Sequence, residues 1–251
     1  MRAAPSWRRS LLRMLGLFGL CLLALQLFFV ARVAVMVVLD PESTTFQRSE
    51  MLRLAVEKHH IAWSQQWVDE AQIAPHLKRA VIASEDAAFN DHAGVDWDAI
   101  ERAWERNQQA EQSAQVQARR RVVQSARVAK VIGGSTITQQ LAKNLLLSGE
   151  RTVLRKAQEF VLTLALEGLL SKRRILEIYL NNVEWGEGLF GVQAAARHYH
   201  RVDAARLTPE AAARLAVMLP APKRFEKRPQ SAYLLARSAV IQARMGAVEL
   251  P

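Results

Sequence analysis

The most prominent feature of the hydrophobic pattern is a nearly continuous apolar run close to the N-terminus. Residues 14–31 contain one strongly polar side chain, Gln26, and the run resumes after Arg32 as far as Leu39. Its length is near the roughly 20 residues that a helix needs to cross a bilayer. A cleaved signal peptide is the alternative, but its apolar region usually spans about 7–15 residues and ends at a small-x-small site, which is not found near Leu39. We predict an uncleaved transmembrane anchor.

Apolar positions in the rest of the chain recur mostly at helical spacing, and few stretches alternate as strands do. The predicted fold class is therefore mainly α, with a single N-terminal transmembrane helix before the domain. The predicted helices span residues 73–83, 97–107, 138–147, 152–170, 173–181, 189–199, 209–218 and 231–245.

These patterns divide the chain into a basic N-terminus (1–13), an anchor (14–39), a connector (40–62) and one domain (63–251). Within the domain, residues 107–131 have no Gly or Pro, little large apolar content and an excess of basic over acidic side chains. Such a composition is typical of a solvated basic helix or of a mobile loop near lipid. Both interpretations stay open for this basic segment.

The distribution of charge indicates how the anchor is oriented. Residues 1–39 contain five arginines and no acidic residue, and four of the arginines precede the apolar run. The positive-inside bias places the N-terminus in the cytoplasm and the domain in the periplasm or cell exterior. About half of the formal net charge of +10 belongs to the anchor, which weakens a nucleic-acid interpretation. An anionic partner at the membrane surface fits the remaining charge better.

Composition supports a folded domain and limits its chemistry. Half of the 251 residues are hydrophobic, which is enough for a sizeable core. The single cysteine, Cys21, lies in the anchor, so this chain cannot build a disulfide framework or a thiol metal site. No histidine has a partner at metal-ligand spacing, which argues against a histidine-based metal hydrolase.

Two adjacent carboxylates, Glu85 and Asp86, close an apolar run where a predicted helix reaches a turn. A carboxyl group in such a place can have a raised pKa and accept a proton. On spacing alone, a plain surface pair at a helix end is the simpler interpretation.

The stretch GGSTITQQLAKN, residues 133–144, combines a Gly-Gly turn with hydroxyl, amide and lysine side chains. Thr136 and Gln139 have the spacing of a capping box, so a helix is predicted to begin here. Free N–H groups in a first helical turn attract anions. The spacing of Lys143 from the glycines does not match a phosphate-binding loop of the Walker type, which argues against an ATPase.

A third cluster follows at helical spacing. Arg151, Arg155 and Glu159 are four residues apart, so two guanidinium groups and a carboxylate share one face of a predicted helix. An ordinary surface ion-pair ladder would have the same pattern. The functional interpretation is a cationic clamp for a diphosphate, with Glu159 positioning the clamp or a metal.

In this order, the clusters resemble the peptidoglycan glycosyltransferases, and specifically the monofunctional biosynthetic peptidoglycan transglycosylases. The resemblance extends from about residue 63 to residue 245. It is carried by EDAAFNDHAGVD (85–96), GGSTITQQLAKN (133–144), RTVLRKAQE (151–159), KRRILEIYLNNVEWGEGLFG (172–191) and AAARLAVMLPAPKRF (211–225). Two departures are the length of the basic segment and Trp185, which stands where the family often has Phe or Tyr.

The resemblance implies a lysozyme-like domain on the periplasmic side of a bacterial inner membrane, held by a single-pass anchor with a cytoplasmic N-terminus. Its activity would be the polymerisation of lipid II by inverting glycosyl transfer, with release of undecaprenyl diphosphate. The chain has no Ser-x-x-Lys or Lys-Thr-Gly motif and is short for an added transpeptidase domain, so we expect glycosyl transfer alone.

Residue roles also follow from the resemblance. Glu85 would be the general base that takes the proton of the acceptor sugar's 4-hydroxyl, and Glu159 would be the second essential glutamate, near the donor diphosphate. Lys143 and Arg151 would neutralise the leaving diphosphate. The other residues matched to substrate binding are Arg102, Ser135, Gln139, Gln140, Asn144 and Arg155, while Tyr179 and Asn181 would support the cleft.

Expected partners are lipid II, the growing lipid-linked glycan strand and the cytoplasmic membrane, with cell-division or elongation proteins as a further expectation and no nucleic acid. No cofactor is certain from the resemblance and no metal ligand is assigned; a divalent cation, Mg²⁺ or Mn²⁺, at the diphosphate is left open.

Two other functions stay open from the sequence. A lysozyme-like peptidoglycan hydrolase or lytic transglycosylase would share the fold and one catalytic glutamate, but it would not need cations beside Glu159. A non-catalytic membrane scaffold of the cell-wall machinery would not need both Glu85 and Glu159.

Overall fold

The computed structural model of the chain describes residues 7–120, 134–147 and 152–251. Gly133, Arg151 and residues 121–131 of the basic segment, to which the sequence analysis assigned roles, lie outside these ranges. The described chain is mainly helical, which confirms the predicted fold class.

The chain begins with a long helix, α1 (Trp7–Val35), and a short helix, α2 (Thr45–Arg53), which continues as a π-helical turn over Leu54–Lys58. The larger helices that follow are α3 (Pro75–Glu85), α4 (Trp97–Arg120), α5 (Ile137–Leu146), α6 (Val153–Leu169), α7 (Lys172–Asn182), α8 (Val192–His200), α9 (Pro209–Met218), α10 (Pro222–Phe225) and α11 (Ala232–Arg244). Short 3₁₀ turns occupy Glu70–Gln72, Ala204–Arg206 and Met245–Ala247.

The core is formed where the apolar faces of these helices meet. α9 packs against α3 and α11, and α5 packs against α6 and α7. Ile175, Ile178 and Leu180 of α7 are fully buried between their neighbours. The end of α3 and the start of α5 therefore lie on rigid, closely packed elements.

Hydroxyl side chains begin several helices where the first backbone N–H groups lack helical partners. Thr136, Thr152, Ser171, Thr208 and Ser231 each accept a hydrogen bond from the backbone N–H three residues further on. Such caps contribute about 1 kcal/mol each. The capping box predicted at Thr136 is confirmed.

A small sheet interrupts the helices. Its strands are β1 (Ser64–Gln65), β2 (Glu184–Gly186) and β3 (Leu189–Phe190), with β3 in the middle, parallel to β1 and antiparallel to β2. The sequence predicted a helix from residue 189, and this start was wrong because Leu189 and Phe190 pair as a strand. Gly188 has φ +69°, and a Cβ there would lie 1.9 Å from the carbonyl oxygen of Ala62.

The helix α4 is longer than predicted and continues to Arg120 instead of ending near residue 107. No Gly or Pro interrupts the chain over this length, so nothing in the sequence ends the helix earlier. The part of the basic segment that the structure describes is thus helical.

The helix α1 is long and apolar enough to cross a membrane. Residues 7–25 are exposed in the isolated chain. The last part of the helix packs on the domain, where Val33 and Met36 join the core cluster. Among the described residues, α1 is the one helix with the length and composition of a membrane anchor, as predicted.

The segment predicted as a connector folds against the domain. The side-chain amide of Gln47 in α2 is buried and donates to the side-chain oxygen of Asn182 at 3.3 Å, and the Thr45 hydroxyl donates to the carbonyl of Leu145 at 3.0 Å. Glu50 pairs with Lys223 at 2.5 Å. Residues 45–58 therefore form part of the packed structure.

Candidate active site

Glu85 is the last residue of α3, and its side chain is partly exposed at the end of a buried helix. Burial is the main cause that raises the pKa of this carboxyl above its usual value of 4.5, and the neighbouring charge of Asp86 adds to it. Hydrogen bonds from Gln140 and Ser84 act in the opposite direction. The result is a carboxylate with increased proton affinity that still reaches solvent.

A chain of hydrogen bonds holds the Glu85 carboxylate in place. The hydroxyl of Tyr179 donates to Oε1 of Gln140 at 3.0 Å, and Nε2 of Gln140 donates to Oε2 of Glu85 at 3.0 Å. Burial, followed by the charges of Glu85 and Asp86, raises the pKa of Tyr179 well above its usual value of 10. Tyr179 therefore stays protonated and fixes the orientation of the Gln140 amide.

Asp86 points away from Glu85 and joins two segments of the chain. Its Oδ2 accepts the backbone N–H of Ile137, the first residue of α5, at 3.0 Å, and its Oδ1 lies 2.9 Å from Nε2 of His92. The backbone N–H of Gly94 donates to Nδ1 of His92, so Nε2 carries the proton and donates to Asp86. Both oxygens of the buried Asp86 carboxylate thus have hydrogen-bond partners within the protein. Of the two adjacent carboxylates, Glu85 is the one that solvent reaches.

The start of α5 forms the wall opposite Glu85. Gln139 is buried, and its Oε1 accepts the backbone N–H of Thr136 in the capping box. The Thr136 hydroxyl donates to the carbonyl of Gly94 at 2.6 Å, which ties the helix start to the loop after α3. Gln140 is thus turned toward Glu85, while Gln139 is turned into the protein.

The helix α6 carries the second predicted glutamate. Glu159 is 3% exposed, and NH1 of Arg155 donates to its Oε2 at 2.7 Å. Lys156 also pairs with Glu159. The Nε of Arg155 is buried and has no hydrogen-bond partner among the described residues. Two cations around one buried carboxylate leave this cluster with a net positive charge.

Hydrogen bonds connect α5 to α6. The Thr138 hydroxyl on α5 donates to Oε1 of Glu167 on α6 at 2.5 Å, and Lys172 donates to the same oxygen at 2.8 Å. Lys172 also donates to the carbonyl of His92 at 2.7 Å. The loop after α3, α5 and α6 are therefore held in one arrangement.

The other predicted substrate-binding residues lie at the surface or partly so. Lys143 and Ser135 on the α5 segment are exposed, and Asn144 is half-buried. Arg102 on α4 is exposed, with its NH2 3.7 Å from Oδ2 of Asp96. Two pairs of predicted site residues are thus in contact: Glu85 with Gln140, and Arg155 with Glu159. Arg102 instead lies beside Asp96, which was not a predicted site residue.

Sequence reasoning missed Lys156 as a partner of Glu159 and gave Asp86 no structural role. Lys156 stands three residues before Glu159, which is a detectable spacing for a helical ion pair. The contact of Asp86 with the start of α5 spans 51 positions in sequence, and no local pattern shows it. Among the described residues, no group of three or more His, Cys, Asp or Glu side chains could hold a metal ion.

Comparison with known proteins identifies the family. A family model described as transglycosylase matches residues 54–246. Proteins named biosynthetic peptidoglycan transglycosylase are similar along most of the chain. The one from Burkholderia thailandensis is 47% identical over 253 residues, 99% of this chain and 92% of its own length. The one from Burkholderia pseudomallei is 49% identical over 236 residues, 94% of this chain and 86% of its own length.

A third relative of the same name, from Paraburkholderia phytofirmans, is 47% identical over 229 residues, 91% of this chain and 88% of its own length. The residues matched by the family model include the whole arrangement of Glu85, α5 and Glu159, together with most of the core that carries it. The chain therefore belongs to the transglycosylase family.

Proposed function

We propose that this protein elongates peptidoglycan glycan strands from lipid II by inverting glycosyl transfer, with release of undecaprenyl diphosphate. Membership of the family and the names of the relatives support strand polymerisation by a peptidoglycan glycosyltransferase. The single observation that carries the proposed mechanism is the Glu85 carboxylate, which is accessible, has a raised pKa and is oriented by Gln140.

Glu85 acts as the general base in this proposal. Its carboxylate takes the proton from the 4-hydroxyl of the acceptor sugar, and the hydroxyl oxygen forms a bond to the anomeric carbon of the donor. The bond from that carbon to the diphosphate breaks on the opposite face, so the configuration inverts from α to β. A carboxylate with increased proton affinity suits proton removal near neutral pH.

The diphosphate leaves without an acid because it is already a stable anion, so the leaving side of the site needs positive charge. Arg155 and Lys156 supply it next to Glu159, which holds both cations in place. The Nε of Arg155 is buried without a hydrogen-bond partner among the described residues, and in this proposal a small shift of the side chain brings that donor to a phosphate oxygen. We propose that Lys143 acts on the same side. Arg151, which lies outside the described residues, keeps the diphosphate-neutralising role that the resemblance implies.

The remaining predicted residues have supporting roles in this proposal. Ser135, Asn144 and Arg102 reach the surface and are available to contact sugars or phosphates. Gln139 acts by capping α5, since its amide oxygen is used by the backbone of Thr136.

A divalent cation at the diphosphate, Mg²⁺ or Mn²⁺, is a separate proposal. The described residues offer no preformed carboxylate cage, and Glu159 is already paired with two cations. Such an ion would be held chiefly by the phosphate oxygens of the substrate, which is a common arrangement for Mg²⁺.

We propose that the protein is a single-pass protein of a bacterial inner membrane, with a cytoplasmic N-terminus and a periplasmic domain. The apolar helix α1 and the arginines before it support this orientation. Confinement of enzyme and lipid substrate to one surface raises their effective concentration. We also propose that the chain acts without a transpeptidase activity of its own.

The test is polymerisation of purified lipid II by the full chain reconstituted in vesicles. We expect long glycan strands from the native protein and at least about a 100-fold slower rate from Glu85→Gln. Glu210→Gln is the matched control, because Glu210 is an exposed glutamate on α9. If Glu85→Gln polymerises at the native rate, Glu85 is not the base. If the native protein instead releases fragments from finished peptidoglycan, it is a hydrolase or lytic enzyme.

A further inference from the structure

The one strongly polar side chain in the apolar run of residues 14–31 has a specific partner in the domain. Nε2 of Gln26 donates to Oε1 of Gln158 at 2.8 Å, and Nε2 of Gln158 donates to Oε1 of Gln26 at 3.0 Å. We refer to Gln26 and Gln158 as the amide pair. Polar groups inside hydrocarbon are costly unless they are paired, and in this pair each amide satisfies the other.

The amide pair lies at one end of a continuous contact between the anchor and the domain. Gln26, Phe29 and Val33 of α1 follow each other at helical spacing of three and four residues and turn toward the domain, and Met36 in the turn just after α1 continues this contact. Residues 7–25 are all exposed. Gln26 is therefore the contact that lies deepest in the membrane.

The other end of the contact is also held by hydrogen bonds. Arg174 of α7 donates to the carbonyl oxygens of Met36 at 2.9 Å and of Leu39 at 3.0 Å, and it pairs with Asp40 at 2.7 Å. Gln26 lies nine residues before the end of α1 at Val35, about 14 Å along the helix axis, and the contacts of Arg174 lie just beyond that end. Two polar attachments at that separation fix both the tilt and the depth of the domain relative to the anchor.

The partner of Gln26 directly precedes Glu159 on α6. Successive residues of a helix point about 100° apart, so the side chain of Gln158 cannot stay against the anchor unless Glu159 keeps its own direction. Rotation of α6 about its axis would break the amide pair and displace Glu159 together with Arg155 and Lys156.

We infer that the amide pair is a positioning pair, which locks the helix that carries Glu159 to the transmembrane anchor and sets the depth of the cationic cluster at the membrane surface. The inference rests on the proposed role of that cluster at the lipid-linked diphosphate. Neither amide touches substrate; both act through the placement of α6.

Cross-linking tests the contact independently of activity. In a Cys21→Ser background, which removes the exposed native thiol, the double variant Gln26→Cys/Gln158→Cys is treated in vesicles with a short bifunctional thiol reagent. We expect efficient intramolecular cross-linking. The control is Leu27→Cys/Gln158→Cys, because Leu27 is 59% exposed on α1 and is not part of the contact. Equal yields from the two double variants would overturn the inference.

Kinetics test the consequence of the contact. In vesicles, we expect Gln26→Leu, Gln158→Leu and the double variant each to lower kcat about three- to tenfold, and by the same factor, because either change alone breaks the pair. In detergent micelles, where no bilayer plane fixes the depth of the substrate, we expect the native rate from all three. Leu27→Ala is the control and retains the native rate in both settings.

Each other outcome contradicts the inference. Native rates of the variants in vesicles show that the pair does not position the site, and equal losses in micelles show a general defect of folding. Losses that multiply in the double variant show that the two amides act separately. A native protein that does not polymerise lipid II refutes the proposed function instead, and the cross-linking result still reports on the pair.

Discussion

At the scale of single residues, Gln140 is the side chain that orients the proposed base, Glu85. It accepts from Tyr179 and donates to Glu85, so its amide is fixed in one orientation. Gln140 was predicted to contact substrate, and the structure shows it hydrogen-bonded to the proposed base. Replacement of Gln140 is therefore expected to change the pKa of Glu85.

We predict that Gln140→Leu shifts the acidic limb of the pH–rate profile to higher pH. The hydrogen bond from Gln140 lowers the pKa of Glu85, so its loss raises that pKa further and leaves less carboxylate at a given pH. The measurement is kcat/KM against pH for lipid II polymerisation. Tyr179→Phe keeps the amide donor and is expected to give a smaller shift. An unchanged limb in Gln140→Leu would mean that Glu85 does not control it.

We predict that Lys143→Met lowers kcat about 100-fold, the usual effect of removing one charge-stabilising donor from an active site. Lys143 is exposed on α5, and Met and Lys have similar helix propensities, so the melting temperature is expected to stay close to that of the native protein. Lys143→Arg keeps the charge and is the control. A folded Lys143→Met protein with native activity would remove Lys143 from the leaving-group side.

At the scale of elements, the start of α5 shows how a helix terminus is built into the site. The Thr136 hydroxyl accepts from the backbone of Gln139 and donates to the carbonyl of Gly94. Asp86 accepts from the backbone of Ile137 at the same end. The helix start is therefore fixed by bonds within α5 and by bonds to the loop that follows Glu85.

We predict that Thr136→Ala lowers the free energy of unfolding by about 1–2 kcal/mol, because it removes a helix cap and leaves a buried carbonyl without its donor. Thr136→Ser keeps the hydroxyl and is expected to remain close to native stability. Thermal unfolding in detergent, followed by circular dichroism, measures both. Equal melting temperatures for Thr136→Ala and Thr136→Ser would contradict this account of the cap.

At the scale of the whole molecule, a cluster of charges joins α2 to β2 and α10. Glu50 of α2 and Glu184 of β2 both face Lys223 of α10, at 2.5 and 3.3 Å. Burial raises the pKa of Glu184 to about 7, although Lys223 partly offsets this. Burial alone would raise the pKa of Glu50 as well, but hydrogen bonds from Arg53 and Lys223 hold it below 4.5.

We predict that Glu184→Gln makes the protein more stable than native at pH 8 and alters stability little at pH 4. The folded state binds the Glu184 proton more tightly than the unfolded state, so the stabilisation by that proton declines as the pH rises from about 4.5 to about 7. The full difference is on the order of 3 kcal/mol. The measurement is the free energy of unfolding between pH 4 and pH 8.

The matched control for this pH dependence is Glu50→Gln, whose effect has the opposite sign. Its carboxylate is stabilised in the folded state, so the variant is expected to lose stability near neutral pH and to approach the native protein as the pH falls below 4.5. Parallel pH profiles for the two variants would contradict the proposed charge arrangement.

The sequence by itself determined the features that depend on local spacing. The apolar run defined α1, helical periodicity located most helices, and the spacing of Thr136 and Gln139 predicted the capping box that the structure contains. Ion pairs within one helix turn, such as Arg155 with Glu159, are equally local and were detectable. The order of the motifs was enough to indicate the family.

Only the tertiary structure decided which distant side chains meet. Hydrogen bonds of Glu85 with Gln140 and of Gln26 with Gln158 span 55 and 132 positions, and no periodicity in the sequence encodes such contacts. The strand at Leu189 was missed because one partner, β1, lies far away in sequence, and because β3 and its neighbouring partner β2 are too short to show an alternating pattern. Local pattern sets each helix and its caps, whereas the packing of helices on one another sets the orientation of the base and the depth of the cationic cluster.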